Sequence, residues 1–227
     1  MVRAVFLHIP KTAGTSLRET LCRGLGEDAV SPAFGASEMT EAEADALRRY
    51  SVVFGHISVT DARRFFPDAM LLTAVRDPVE RCLSWYRFVR SVGVPPYPDV
   101  MAALSHDIDD FFSLDVETVF RNIYNRQVRQ LGDHVLNTGV DMQDAFERAK
   151  ATLDECVWIG RQEAMQEDLA RLADILPQMA GVNLSRLNVT AGDHASRPIP
   201  DELRRKIARY NAFDEALYAD VVRRCGG

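Results

Sequence analysis

Three short runs of apolar and branched residues, "AVFLHI" (4–9), "SVVFGH" (51–56) and "MLLTAVR" (70–76), set the limits on what this chain can fold into. A fourth, "CVWIG" (156–160), follows much later. Near-continuous apolar runs of this length are strands buried on both faces. Each gives way to a polar or Gly/Pro turn and then to a helical pattern. That alternation predicts an α/β fold, a parallel sheet flanked by helices on both faces. Between Pro95 and about Lys150 the strand signal disappears, so residues 95–150 are expected to form a mostly helical insertion entered through the turn "PPYPDV". With 227 residues and no repeat, a single domain over 1–227 accounts for the chain.

Several helix boundaries have specific signals. Ser16 with Glu19, and Thr40 with Glu43, have the spacing of a capping box. Asp77 followed by Pro78 supplies an N-cap and a favoured first helical residue. A last helix from about Asp201 carries Leu203, Ile207, Tyr210, Leu217 and Val221 on one apolar face.

Composition excludes some functions. A net charge of −6 argues against a general nucleic-acid or anionic-membrane binder, while leaving room for a local basic cleft. No apolar stretch approaches the ~20 residues of a membrane helix. The N-terminus lacks the long apolar region and cleavage site of a signal peptide, so a cytoplasmic protein without stable membrane insertion is expected. Cys22, Cys82, Cys156 and Cys225 lie far apart with no C-x-x-C pair, which favours buried thiols over disulfides or zinc. No ligand cluster for a metal is visible, and oligomeric state is not encoded legibly.

The stretch "FLHIPKTAGTSLRETL" (6–21) places a strand ending at Ile9, a loop, and a helix starting near Thr15–Ser16 in succession. The first N–H groups of such a helix point outward at the positive end of its dipole. Gly14 permits close approach of the backbone or a positive φ. Thr12, Thr15 and Ser16 add hydroxyls and Lys11 a mobile cation, a set suited to a phosphate or sulfate ester. A plain capped helix beside a solvated lysine fits the segment equally well. A Walker A loop does not, because Lys11 precedes Gly14 and no upstream glycine sits at the required distance.

A second anion pattern lies in "LLTAVRDPVERCLSWYRFVR" (71–90). Ser84 is seven residues past the cap at Asp77, and seven steps of ~100° return it to nearly the same helix face. Arg76 from a strand end and Ser84 from the helix are then able to hold one anion. The alternative is an Arg–Asp surface pair with a core-facing serine. His56, just after the second strand, suits proton removal from an attacking hydroxyl, although a histidine there is more often a hydrogen-bonded turn residue. His8 is its rival, while His106, His134 and His194 have no supporting context.

The order "HIPKTAGTSL" resembles the 5′-phosphosulfate loop of sulfotransferases that use 3′-phosphoadenosine 5′-phosphosulfate (PAPS), and "RDPVERCLS" (76–84) resembles that family's 3′-phosphate pattern. The likeness is to the heparan sulfate 2-O- and 6-O-sulfotransferase branch. It implies a P-loop-like sheet in which Lys11, Thr12, Ala13, Gly14, Thr15 and Ser16 hold the 5′-phosphosulfate and Arg76 and Ser84 the 3′-phosphate. His56, in a G-H motif, becomes the base, and Lys11 neutralises charge on the leaving oxygen. "YNRQVRQLGD" (124–133) is similar to a 6-O-branch segment, so Asn125, Gln127 and Arg129 contact the acceptor or form an exposed helix face. "WIGRQEAMQEDLARL" (158–172) is similar to the late strand and helix. Residues 187–218 resemble a closing loop and final helix, in which Asn188, Thr190 and Arg197 reach the nucleotide.

The activity implied is sulfuryl transfer from PAPS, without a metal, to a hydroxyl of a carbohydrate or carbohydrate-containing acceptor. The chain resembles a small, soluble, bacterial version of the Golgi enzymes. Its likeness is weakest over 97–119, so the acceptor is not carried over. Arg63, Arg64, Arg87, Arg90, Arg126 and Arg129 are either a basic cleft for an anionic saccharide or scattered surface charge. An atypical nucleotide kinase or hydrolase is the competing enzyme, with Asp77 as its best-placed magnesium carboxylate. A non-catalytic nucleotide- or sulfate-sensing protein is the competing binder. The sulfuryl-donor expectation fails if Lys11 and Arg76 open onto unrelated surfaces.

Overall fold

The apolar runs become parallel strands of one sheet, ordered β2-β3-β1-β4-β5. They are β1 (Ala4–Leu7), β2 (Phe34–Gly35), β3 (Val52–His56), β4 (Met70–Val75) and β5 (Cys156–Arg161). The structure, a computed structural model, describes residues 2–35, 38–92, 96–135, 138–185 and 199–225. Successive side chains on a strand point to opposite faces, and here each face meets a separate core. Val5, Leu7, Val53, Leu71 and Val75 enter one, while Ala4, Phe6, Val52, Phe54, Leu72 and Ala74 enter the other. Burial on both sides explains why these strands are apolar without alternation.

Helices α1 (Gly14–Leu25) and α10 (Met165–Ile175) cover the second face, through Leu17, Leu21, Met165, Leu169 and Leu172. The first face is covered by α2 (Glu41–Leu47), α3 (Val59–Phe65), α8 (Arg126–Leu131), α9 (Met142–Glu155) and α12 (Ala212–Cys225). A third core lies off the sheet. There α4 (Pro78–Ser91), α5 (Pro98–Ser105), α6 (Ile108–Phe111), α7 (Val116–Val119) and α11 (Asp201–Arg209) pack around Trp85, Phe111, Phe112, Ile123 and Tyr210. The described residues between β4 and β5 contain no strand. They divide instead between this third core and the helices α8 and α9 on the sheet.

Helix boundaries follow the sequence signals in part. Thr40 and Glu43 form the expected capping box: Glu43 N–H donates to Thr40 Oγ1 at 3.3 Å and Thr40 N–H to Glu43 Oε2 at 2.8 Å. Asp77 caps α4 by accepting the Glu80 N–H at 2.9 Å, with Pro78 as first helical residue. The box expected at Ser16 and Glu19 is absent. There α1 begins earlier, its N-cap is Ala13, and Ser16 is buried in the first turn. The expected last helix is interrupted at Tyr210–Asn211, and buried Asn211 bonds across the break, donating to Ile207 C=O at 3.0 Å and accepting the Asn125 N–H at 3.2 Å. Leu203, Ile207 and Tyr210 therefore enter the third core, and Leu217 and Val221 the first. β2 went unseen because two residues at a sheet edge make no apolar run.

All four cysteines are free thiols, Cys22 and Cys82 buried and Cys156 and Cys225 half-buried. Among the described residues no helix is long and apolar enough to cross a membrane.

Candidate active site

Parallel register brings the sequence candidates to one edge. Leu7 lies beside Gly55 and Thr73, and Val75 beside Arg161, so His8, His56, Arg76 and Arg161 all emerge at the carboxyl ends of their strands. Open α/β sheets form their ligand crevices at that edge.

The loop after β1 is strained and closed on itself. Lys11 and Ala13 both have left-handed backbones, at φ 72° and 66°, which costs on the order of 1–3 kcal/mol for each non-glycine residue. Alternation of this kind turns successive N–H groups toward one point, a concavity that suits an anion. The ladder of α1 opens with Leu17 N–H donating to Ala13 C=O at 2.9 Å, so the N–H groups of Gly14 and Thr15 precede it at the positive end of the helix. Thr15 is exposed. Thr12 departs from expectation: fully buried, its hydroxyl donates to Ile9 C=O at 2.9 Å, and any ligand contact from it is through the main chain. Gly14 is not the residue with positive φ. A Cβ there would lie 2.0 Å from Cε1 of His8, so glycine is needed for the imidazole to pack against the loop.

Lys11 and Arg76 meet at this edge. Arg76 Nη1 donates to the Lys11 carbonyl at 3.3 Å. Its Nε, sealed from solvent, faces Glu163 Oε1 at 3.8 Å, too long for a hydrogen bond. Lys11 Nζ sits 4.0 Å from the centroid of the Phe88 ring, a cation–π contact. Ser84, half-buried, lies one turn before Phe88 on α4, so the face carrying both turns toward the same loop. Burial and then the neighbouring Arg76 pull the Lys11 ammonium down to about 8. Burial also lowers Arg76, against the opposing pull of Glu163 and Glu80.

His56 closes β3 with its ring oriented. Its Nδ1–H donates to the His8 carbonyl at 2.7 Å, which leaves the lone pair on Nε2 in the neutral form. The rings of His8 and His56 stack, with centroids 4.6 Å apart and planes 20° apart. Burial lowers the pKa of His56, and Arg126 adds to this, although the bond to His8 pulls the other way. His8 lies well below its ordinary value through burial, then through His56, Lys11 and Arg126.

The model of the sulfotransferase family matches residues 3–219. The chain belongs to the sulfotransferase family. It is 24% identical over 259 aligned positions to the uronyl 2-sulfotransferase homolog pip of Drosophila melanogaster, an alignment covering 92% of this chain and 49% of that protein. The chain thus spans about half the length of that curated relative. Among solved structures, the mouse sulfotransferase SULT7A1 complexed with PAP shares 15% identity at a TM-score of 0.48, over 95% of this chain and 65% of that one.

In this member of the sulfotransferase family, several expected site residues do other work. Asn125, Gln127 and Arg129 are neither exposed nor open to an acceptor; all three are buried. Asn125 Oδ1 accepts the N–H groups of Phe213 and Asp214, and Arg129 donates to the carbonyls of Phe120, Tyr124 and Val135. Arg126 is buried too, and bonds Gln130 and the Arg121 carbonyl. Arg63 is drawn to the opposite edge of the sheet, paired with Glu155 in a hollow lined by Met70 and Val157. Asp77, weighed as a magnesium ligand, caps α4. Asn188, Thr190, Arg197 and His194 lie outside the described residues.

Sequence reasoning missed Phe88, Glu163 and the left-handed Ala13. None has a local signal, because each matters through a partner distant in the chain or through a backbone angle.

Proposed function

We propose that this chain is a PAPS-dependent sulfotransferase that transfers the sulfuryl group to a hydroxyl of a carbohydrate or carbohydrate-containing acceptor. The observation that carries the reading is the meeting of the strained Lys11 loop and Arg76 at one sheet edge, with Arg76 Nη1 donating to the Lys11 carbonyl at 3.3 Å. Family membership over residues 3–219 supports the transfer, and the relative named for uronyl sulfation supports the carbohydrate.

In this scheme the main chain of residues 11–16, with Lys11, holds the 5′-phosphosulfate, and Arg76 with Ser84 holds the 3′-phosphate. His56 Nε2 takes the proton of the acceptor hydroxyl as its oxygen bonds to sulfur. The bond from sulfur to the bridging phosphate oxygen breaks, and Lys11 neutralises the charge arriving on that oxygen. Adenosine 3′,5′-bisphosphate leaves. Positioning and fixed charge carry most of the rate enhancement, as in phosphoryl transfer.

Calorimetric titration with adenosine 3′,5′-bisphosphate, ADP and ATP tests the donor, and transfer of labelled sulfate over a panel of saccharides tests the acceptor. Tightest binding of the bisphosphate is expected. Equal or tighter binding of ATP overturns the donor assignment.

A further inference from the structure

Arg76 is held at both ends before any ligand arrives. Its backbone N–H donates to Gln127 Oε1 at 2.9 Å, and Gln127 Nε2 donates back to the Arg76 carbonyl at 2.9 Å. One buried side-chain amide thereby does for the residue after β4 what a neighbouring strand does for the residues within it. Gln127 is itself fixed. Its N–H donates to Asp214 Oδ2 at 3.0 Å and the N–H of Val128 to Asp214 Oδ1 at 2.7 Å, with Asp214 fully buried on α12. A continuous chain of hydrogen bonds therefore runs from α12 through the start of α8 to Arg76.

We infer that Gln127 is a positioning residue for nucleotide recognition, clamping the backbone of Arg76 so that its guanidinium is set for the 3′-phosphate. The inference rests on the assignment of Arg76 to that phosphate. A long side chain loses rotamer freedom on binding, and fixing its root and its tip beforehand removes part of that cost. The tip is placed by the Lys11 carbonyl and faces Glu163, and the root is placed by Gln127. Glu163 belongs to the same support: Oε1 accepts the Asp77 N–H at 3.2 Å and Oε2 the Tyr218 hydroxyl at 2.9 Å. A purely structural Gln127 would alter stability without altering which nucleotide is chosen.

The test is a ratio of affinities. Adenosine 3′,5′-bisphosphate and adenosine 5′-phosphate are titrated calorimetrically into the wild type, Arg76→Ala, Gln127→Met and Gln127→Glu. Stoichiometry reports the folded fraction, so each ratio belongs to folded molecules. The wild type is expected to prefer the bisphosphate and Arg76→Ala to lose that preference. In Gln127→Met the preference should fall on the order of tenfold, the scale of two lost buried hydrogen bonds, with the 5′-phosphate affinity little changed. Gln127→Glu keeps an acceptor for the Arg76 N–H and should fall between, and it serves as the test variant if Gln127→Met does not fold. An undiminished preference in the Gln127 variant overturns the clamp. No preference in the wild type overturns the 3′-phosphate assignment instead.

Discussion

Lys11 combines a strained backbone, a half-buried ammonium and a like-charged neighbour in Arg76, and no carboxylate among the described residues bonds it. Each of these opposes folding, and together they suit the binding of a polyanion. The linkage has a definite sign: a lysine held at about 8, below its ordinary 10.5, weakens the fold in full below that lower value, and the penalty is lost as pH rises from there to the ordinary lysine value. Lys11→Met should therefore raise the thermal midpoint while reducing turnover on the order of 10²–10³-fold. A lowered midpoint removes the charge-strain account. The same residue shapes the pH profile. In the free enzyme, kcat/KM should rise as His56 loses its proton below the ordinary histidine range and fall through about 8 as Lys11 loses its own. A profile that stays level past pH 9 takes the Lys11 charge out of the reaction. His56→Ala should lose turnover on the order of 10²–10⁴-fold and still bind nucleotide. At Gly14 the constraint is steric. Gly14→Ala would drive a methyl group into the His8 ring, with an expected loss of about 1–3 kcal/mol in urea unfolding.

Two capping-box patterns of identical spacing had different outcomes, and the difference lies in what precedes each. Thr40 is reached by extended backbone and is free to turn its hydroxyl onto the Glu43 N–H. Before Ser16, the Thr12 hydroxyl ties the loop to Ile9 and Ala13 turns left-handed, so the helix has already begun. Capping signals report hydrogen-bonding capacity, and the incoming chain decides whether it is used. Thr40→Ala should cost about 1 kcal/mol by denaturant unfolding. The strands needed no such context. Apolar runs buried on both faces have few alternatives, and four of the five were visible along the chain.

At the scale of the molecule, the carboxyl edge is braced from behind by polar groups buried between α8 and α12. Asp214 accepts the N–H groups of Gln127 and Val128 in the first turn of α8, and Asn125 accepts those of Phe213 and Asp214 in the first turn of α12. Burial raises the pKa of Asp214 despite the pull of Arg81 and these N–H donors. Removing this carboxylate leaves buried donors without an acceptor. Asp214→Ala should destabilise by about 3 kcal/mol or more in urea unfolding, and Asp214→Asn by less, because the amide oxygen still accepts one bond. The break at Tyr210–Asn211 belongs to the same design, since it lets one terminal segment serve two cores.

The parallel sheet and the edge at which its loops gather were legible along the chain, because a strand buried on both faces writes its burial into every residue. The sequence also marked out the segments around Lys11 and Arg76 that the fold brings to one edge, because a few polar residue types at short spacing after a buried strand stand out along a chain. Tertiary structure alone decided that Thr12 turns inward, that Gly14 yields its space to His8, and that Gln127 faces Arg76 rather than an acceptor. Those outcomes depend on pairs such as 76 and 127, or 127 and 214. Their members show no pattern along the chain, and their hydrogen bonds exist only once the helices have packed.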